Sequence, residues 1–209
     1  VGSEMCIRDR YLLLHKFNQL KSRIILEIVE IYENWLYSIQ FDEEDLNEYV
    51  RVFKEWHDLD YLEKFFTDNA VHIDTPFWKD AGLDPNEPEA SAQKILDEAE
   101  ELEEYIEELV SNMKVGEKPS FDEYFHFLDG KYKCLWTLEP MKSYGTNRPS
   151  LLRLYAIKLG PNCYLIVYGG IKLGDTIQNS PVLKDKVFNK IDNVLNYLKA
   201  NGIEDSADI

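Results

Sequence analysis

Residues 151–168 read LLRLYAIKLGPNCYLIVY, and this stretch decides the fold. Positions 151–159 and 163–168 are two apolar runs of strand length, and Gly160-Pro161-Asn162 between them supplies a tight reversal. Such a pair predicts a β-hairpin. Gly169-Gly170 ends it, and Ile171, Lys172 and Leu173 lead toward a second turn around Gly174 and Asp175.

Downstream, Pro181 is placed to open a helix in which Val182, Val187, Ile191, Val194, Leu195 and Leu198 form an apolar stripe, ended by Asn201-Gly202. Residues 204–209 read as a frayed acidic tail. Upstream, 131–137 fits a strand, and 141–150, MKSYGTNRPS, reads as a polar loop carrying Lys142, Tyr144 and Arg148. Residues 121–127 read as a short aromatic turn after a helix break at 114–119.

The periodicity predicts a long helix over 89–113, with Ala92, Ile95, Leu96, Ala99, Leu102, Ile106, Leu109 and Val110 on one stripe and eight acidic residues from Asp97 to Glu108. Three prolines and a glycine make 74–88 a loop, with Phe77 and Trp78 available to anchor it. Before it, Leu46, Tyr49, Val50, Phe53 and Trp56 recur at helical spacing, as do Leu62, Phe65 and Phe66. Asp42 or Asp45 can cap the first of these helices and Asp58 or Asp60 the second. Residues 23–40 predict an N-terminal hairpin turning at Glu33-Asn34. The fold class is therefore α+β, with a mostly antiparallel sheet, an N-terminal hairpin, a long acidic helix and a C-terminal helix. The expected organisation is one domain over 11–203, acidic and helical over 42–130 and basic and strand-rich over 131–199.

Charge divides the same way. Residues 131–199 hold eleven Lys and Arg against four Asp and Glu, whereas 1–130 hold twelve against thirty-two, in a chain of net charge −16. That balance argues against a generally exposed nucleic-acid surface, because phosphate is repelled from most orientations, so any such site must be local to the basic third. The first ten residues, VGSEMCIRDR, resemble a translated adapter sequence and are set aside from fold reasoning. Cys134 and Cys163 then remain, without CxxC spacing, so neither a disulfide framework nor a zinc site is indicated. No apolar stretch approaches the roughly 18 residues of a membrane span. A soluble, reduced, cytoplasmic protein is expected, with no cofactor, metal or membrane partner.

Arg153-Leu154-Tyr155, the Gly160-Pro161-Asn162 turn, the apolar strand at 163–168, Gly170-Ile171-Lys172 and the Thr176 to Pro181 lead into a helix together resemble the C-terminal segment of RelE/HigB-like toxins. The resemblance implies a small bacterial toxin–antitoxin protein, a ribosome-dependent mRNA endoribonuclease with a basic concave sheet. It carries over Arg153 and Lys172 as catalytic residues, with Tyr155 as a weaker third. Cleavage by a 2′-OH needs a cation near the scissile phosphate and a group that moves a proton. Where the family commonly has consecutive basic residues, this chain has Lys172-Leu173-Gly174, so an inactive derivative is the second form of the same expectation.

Each candidate also has a structural reading. Arg153 can be an ion-paired strand residue, the glycines before Lys172 can serve a bulge, and Lys142, Tyr144 and Arg148 can be ordinary loop residues rather than an RNA-binding set. His15, His57, His72 and His126 share no metal-site spacing. Partners are expected to be RNA or the ribosome, or an antitoxin-like protein. The alternative function is a non-enzymatic interaction module using the acidic helical face. A third possibility joins the two, with helix 89–113 folding over the basic sheet as a built-in inhibitor.

Overall fold

In the computed structural model, described for residues 26–42, 44–128, 138–146, 149–174, 177, 179–180 and 182–209, β1 (Leu26–Tyr32) and β2 (Leu36–Phe41) form the N-terminal hairpin. Asn34 turns it at φ 67°, a left-handed conformation that Asn tolerates better than most residues, and its amide donates to Glu30 Oε1 at 3.0 Å. Helices α1 (Glu48–Trp56), α2 (Leu59–Asp68), α3 (Ala70–Ile73), α4 (Pro76–Asp80), α5 (Pro88–Val115) and α6 (Phe121–Tyr124) follow. Then come β3 (His126–Phe127), β4 (Glu139–Lys142), β5 (Leu152–Gly160), β6 (Cys163–Ile171), α7 (Lys184–Ala200) and a 3-10 turn at Ser206–Asp208. The sheet order is β1-β2-β6-β5-β4-β3, antiparallel throughout except for the parallel β2–β6 pair. The α+β class, the hairpins and the long helix are as the sequence predicts.

Alternation along the central strands builds two cores. Leu152, Leu154 and Ala156 of β5 and Tyr164 and Ile166 of β6 pack with α1, α2, α4 and α5, whereas Tyr155, Ile157, Leu159, Leu165 and Val167 pack with α7. Side chains thus cover both faces of the central sheet, and its described strands offer no open concave surface. The stripe of α5 enters the first core, while Asp97, Glu100, Glu101, Glu104, Glu107 and Glu108 face solvent. Since the helix covers one face with its apolar side, the built-in inhibitor of the sequence reading, which needed the acids turned onto a basic sheet, does not form.

Several local expectations are corrected. The cap of α1 is Asn47, whose Oδ1 accepts from the Val50 amide at 3.0 Å, because Asp42 and Asp45 lie too far before the first turn. Asp58 caps α2. The proline-rich stretch is not all loop: Thr75 caps α4 and Pro76 occupies its first turn, where a missing N–H costs nothing. Met141 and Lys142 belong to β4 rather than to a loop. β6 does not end at Gly169-Gly170 but runs through them, and α7 begins at Lys184. Residues 1–25 and 129–137, with Cys134 and the expected strand at 131–137, lie outside the described residues, as do Arg148, Thr176 and Pro181.

The paired glycines have a packing role. A Cβ on Gly169 would come within 2.6 Å of Val52 in α1, and one on Gly170 within 2.8 Å of Leu183 before α7. Helical segments on opposite faces therefore approach adjacent residues of one strand closely. Arg51 adds a hydrogen bond to the Gly169 carbonyl at 3.1 Å.

Candidate anion cleft beside the central hairpin

Four segments meet at one end of β5 and β6. The Lys172 amide donates to Leu151 O at 2.8 Å, which fixes the chain leaving β6 against the chain entering β5. Trp78 of α4 donates its indole N–H to Leu173 O at 2.5 Å and brings Phe77 alongside. Residues 143–146 and 149–150 are held here by hydrogen bonds from Ser143 N to Leu154 O at 2.8 Å and from Gly145 N to Ser150 Oγ at 2.9 Å. Between them lies a cleft of about 300 Å³ lined by Phe77, Trp78, Tyr144, Pro149, Ser150, Arg153, Lys172 and Gly174.

Three of the sequence-derived candidates, Tyr144, Arg153 and Lys172, therefore share one cleft. Arg153 is 8% exposed, stacks at 4.3 Å on the Tyr144 ring, and donates from Nη1 to Ser150 O at 2.9 Å and Leu152 O at 2.6 Å. Burial lowers its pKa, and the neighbouring Tyr155, Tyr144 and Glu98 oppose that shift. A guanidinium remains charged regardless, so the cleft carries a fixed cation in a poorly solvated wall. Lys172 is half-buried at its edge. Lys142 lies beside the cleft rather than in its lining, its ammonium 5.8 Å from the Tyr144 ring centroid.

Tyr155 does not join them. It is 0% exposed in the α7-side core, its hydroxyl has no hydrogen-bond partner, and burial drives its pKa upward. A phenol so placed reaches no ligand in the cleft. The sequence reading also missed Phe77 and Trp78 as cleft walls, although Thr75-Pro76 is an N-cap and first-turn signature that would have placed them on a helix.

Glu98 was hidden among the acids of α5. It is 1% exposed, and it occupies a stripe position with Ser91, Ile95 and Leu102, the spacing that could have revealed it. A Cβ on Gly145 would overlap its Oε1, so glycine permits this approach. Burial raises its pKa, against the lowering influence of Ser150, the Leu151 and Leu152 amides and Arg153. Neither carboxylate oxygen makes a hydrogen bond of good geometry. It lies within electrostatic reach of Arg153.

A second cleft of about 410 Å³ opens on the other side of Tyr144, lined by Tyr105, Glu123, Tyr124, His126, Tyr144, Gly145 and Thr146. Among the described residues no group of three His, Cys, Asp or Glu side chains could hold a metal ion, and no helix is long and apolar enough to cross a membrane. No protein-family model matches the chain, and no curated protein or solved structure shows a significant match to it.

Proposed function

We propose that the protein is a RelE/HigB-related, RNA-directed binding protein, acting in the cytoplasm, that holds a single-stranded segment without cutting it. The observation that carries this reading is the meeting of Arg153 and Lys172 with Tyr144, Phe77 and Trp78 around one cleft. Two cations neutralise neighbouring phosphates, and an exposed aromatic such as Phe77, 52% accessible, offers a stacking platform for a base. Binding rather than cleavage is favoured because Tyr155, carried over as the third catalytic residue, is sealed in the core and one Arg153 nitrogen is committed to backbone carbonyls.

Induced expression in bacteria of the wild type beside Arg153→Ala and Lys172→Ala, scored for growth arrest and mRNA cleavage, separates binding from catalysis. The expected result is no cleavage with any of them. Fluorescence anisotropy with a labelled single-stranded RNA oligonucleotide should show binding that Lys172→Ala weakens roughly tenfold, the worth of one charge-assisted contact. Wild-type cleavage lost in both variants would restore the nuclease reading. Absence of oligonucleotide binding would leave the acidic face of α5, and a protein partner, as the better account.

A further inference from the structure

The second cleft has a chemistry opposite to the first. Its walls are aromatic: Tyr105 and Tyr124 meet edge to face with centroids 5.7 Å apart, and His126 and Tyr144 lie 5.8 Å apart and tilted. Among its lining residues the one carboxylate is Glu123, and no Lys or Arg lines it. Glu101, which accepts from Thr146 Oγ1 at 2.9 Å, brings a second negative charge to the rim. The Tyr124 hydroxyl is buried beside Ser143 Oγ, behind the cleft wall, and neither makes a hydrogen bond of good geometry.

We propose that this cleft takes a cationic side chain, an arginine or lysine of a basic partner polypeptide, among the faces of Tyr105, Tyr124 and Tyr144 with Glu123 at the rim. Ring faces carry the negative end of the aromatic quadrupole and attract a guanidinium or ammonium, whereas a phosphate would meet tyrosines and a carboxylate with no cation in the lining. Charge on the rest of the molecule acts in the same direction. The exposed acids of α5, in a chain of net charge −16, draw a basic segment toward this end of the helix.

Three cations lie nearby and shape the expected behaviour. Lys142 and Arg153 already lean on Tyr144, so the Tyr105 side of the cleft is the better receptor. Lys118 is paired with Glu123 from solvent, with its side chain 78% exposed. Hydrogen bonds from Lys118 and Ser120 hold Glu123 down at about 2, so it is ionised throughout the neutral range, and an incoming guanidinium competes with Lys118 for it. The cleft is thus built to exchange one cation for another.

The test is a titration of the full chain, carrying 13C-labelled tyrosine, with Nα-acetylarginine amide and with its neutral isostere Nα-acetylcitrulline amide. Arginine amide should shift the Tyr105 and Tyr124 ring resonances, and citrulline amide should not. Tyr105→Leu should weaken arginine binding roughly two- to thirtyfold, the range of a cation–π contact, while Tyr105→Phe retains it. Lys118→Gln should strengthen binding severalfold, a gain that no folding defect imitates. Equal shifts with citrulline amide, shifts confined to tyrosines outside the lining of this cleft, or weaker binding in Lys118→Gln would each overturn the proposal. Because Tyr105, Tyr124 and Lys118 do not line the first cleft, failure of RNA binding leaves this result standing.

Discussion

At the scale of single residues, Tyr155 separates a catalytic role from a packing one. Its hydroxyl is buried and unpartnered, so Tyr155→Phe removes a desolvated polar group and loses no hydrogen bond. The variant should be as stable as the wild type or up to about 1 kcal/mol more stable, measured by urea unfolding, and oligonucleotide binding should not change. A large loss of binding would return Tyr155 to the site. Asp122 behaves in the opposite way. Burial would raise its pKa, but hydrogen bonds from Lys158 Nζ and Tyr164 Oη, each 2.7 Å, and from the Asn162 backbone amide lower it from 3.8. A carboxylate with a depressed folded-state pKa contributes stability above its unfolded value and loses it as pH falls through the folded value. Asp122→Asn should therefore lower stability at neutral pH and flatten its decline below about pH 4, as read from unfolding midpoints across an acid series.

At the scale of elements, the two glycines of β6 and the ion cluster at α1 do the joining. Gly169→Ala puts a methyl into Val52 in a well-packed core and should cost about 1–3 kcal/mol of unfolding free energy. β2 and β6 pair only over Leu36–Ser38 and Tyr164–Ile166, and past that point α1 and α7 reach each other. There the fully buried Glu48 is held by Arg51 at 2.7 Å and by Lys190, whose ammonium also bonds Glu44 at 3.0 Å and sits 4.0 Å from the Phe41 ring centroid. Lys190→Met strands the Glu48 charge beside one remaining partner and should cost about 3 kcal/mol, whereas adding Glu48→Gln should recover part of that loss. A double variant as unstable as the sum of its parts would rule out the pair as a coupled unit.

The same scale shows what the sequence made readable. Apolar runs of strand length and turn residues marked the central hairpin, whose strands are covered on both faces, and the spacing of Ile95, Leu102, Ile106 and Leu109 marked α5, because it reports a single buried face. The cleft itself was less legible. Arg153, Lys172 and Tyr144 could be named from residue type and are brought together by the β4-β5-β6 pairing, but the Phe77 and Trp78 wall depends on the Trp78 bond to Leu173 O across 95 positions of chain, which no local pattern encodes. Gly169-Gly170, read from the sequence as a strand end or a bulge, proved to be room for Val52 and Leu183. Glycine reports close approach without saying what approaches.

At the scale of the whole molecule, the division of charge becomes spatial. The acids of α5 face solvent on one side of a covered sheet, while Arg153 and Lys172 occupy a cleft at its end with Glu98 buried behind them. An RNA segment is thus attracted by two cations and repelled by the far larger negative field around them. Two neutralised phosphates on a single strand give a slope of log affinity against log salt of about −1.4, shallow for a nucleic-acid binder. The long-range repulsion is screened over about 10 Å at 0.1 M salt, which flattens the measured slope further. Replacing Glu100, Glu101 and Glu104 with Gln removes exposed charges without touching the core, so it should tighten oligonucleotide binding at low salt and steepen the slope toward −1.4 while leaving thermal stability nearly unchanged. The same triple variant should weaken binding of a basic probe at the second cleft. Opposite responses of the two ligands to one change in surface charge are expected only if the clefts differ in sign, and parallel responses in these titrations would show that they do not.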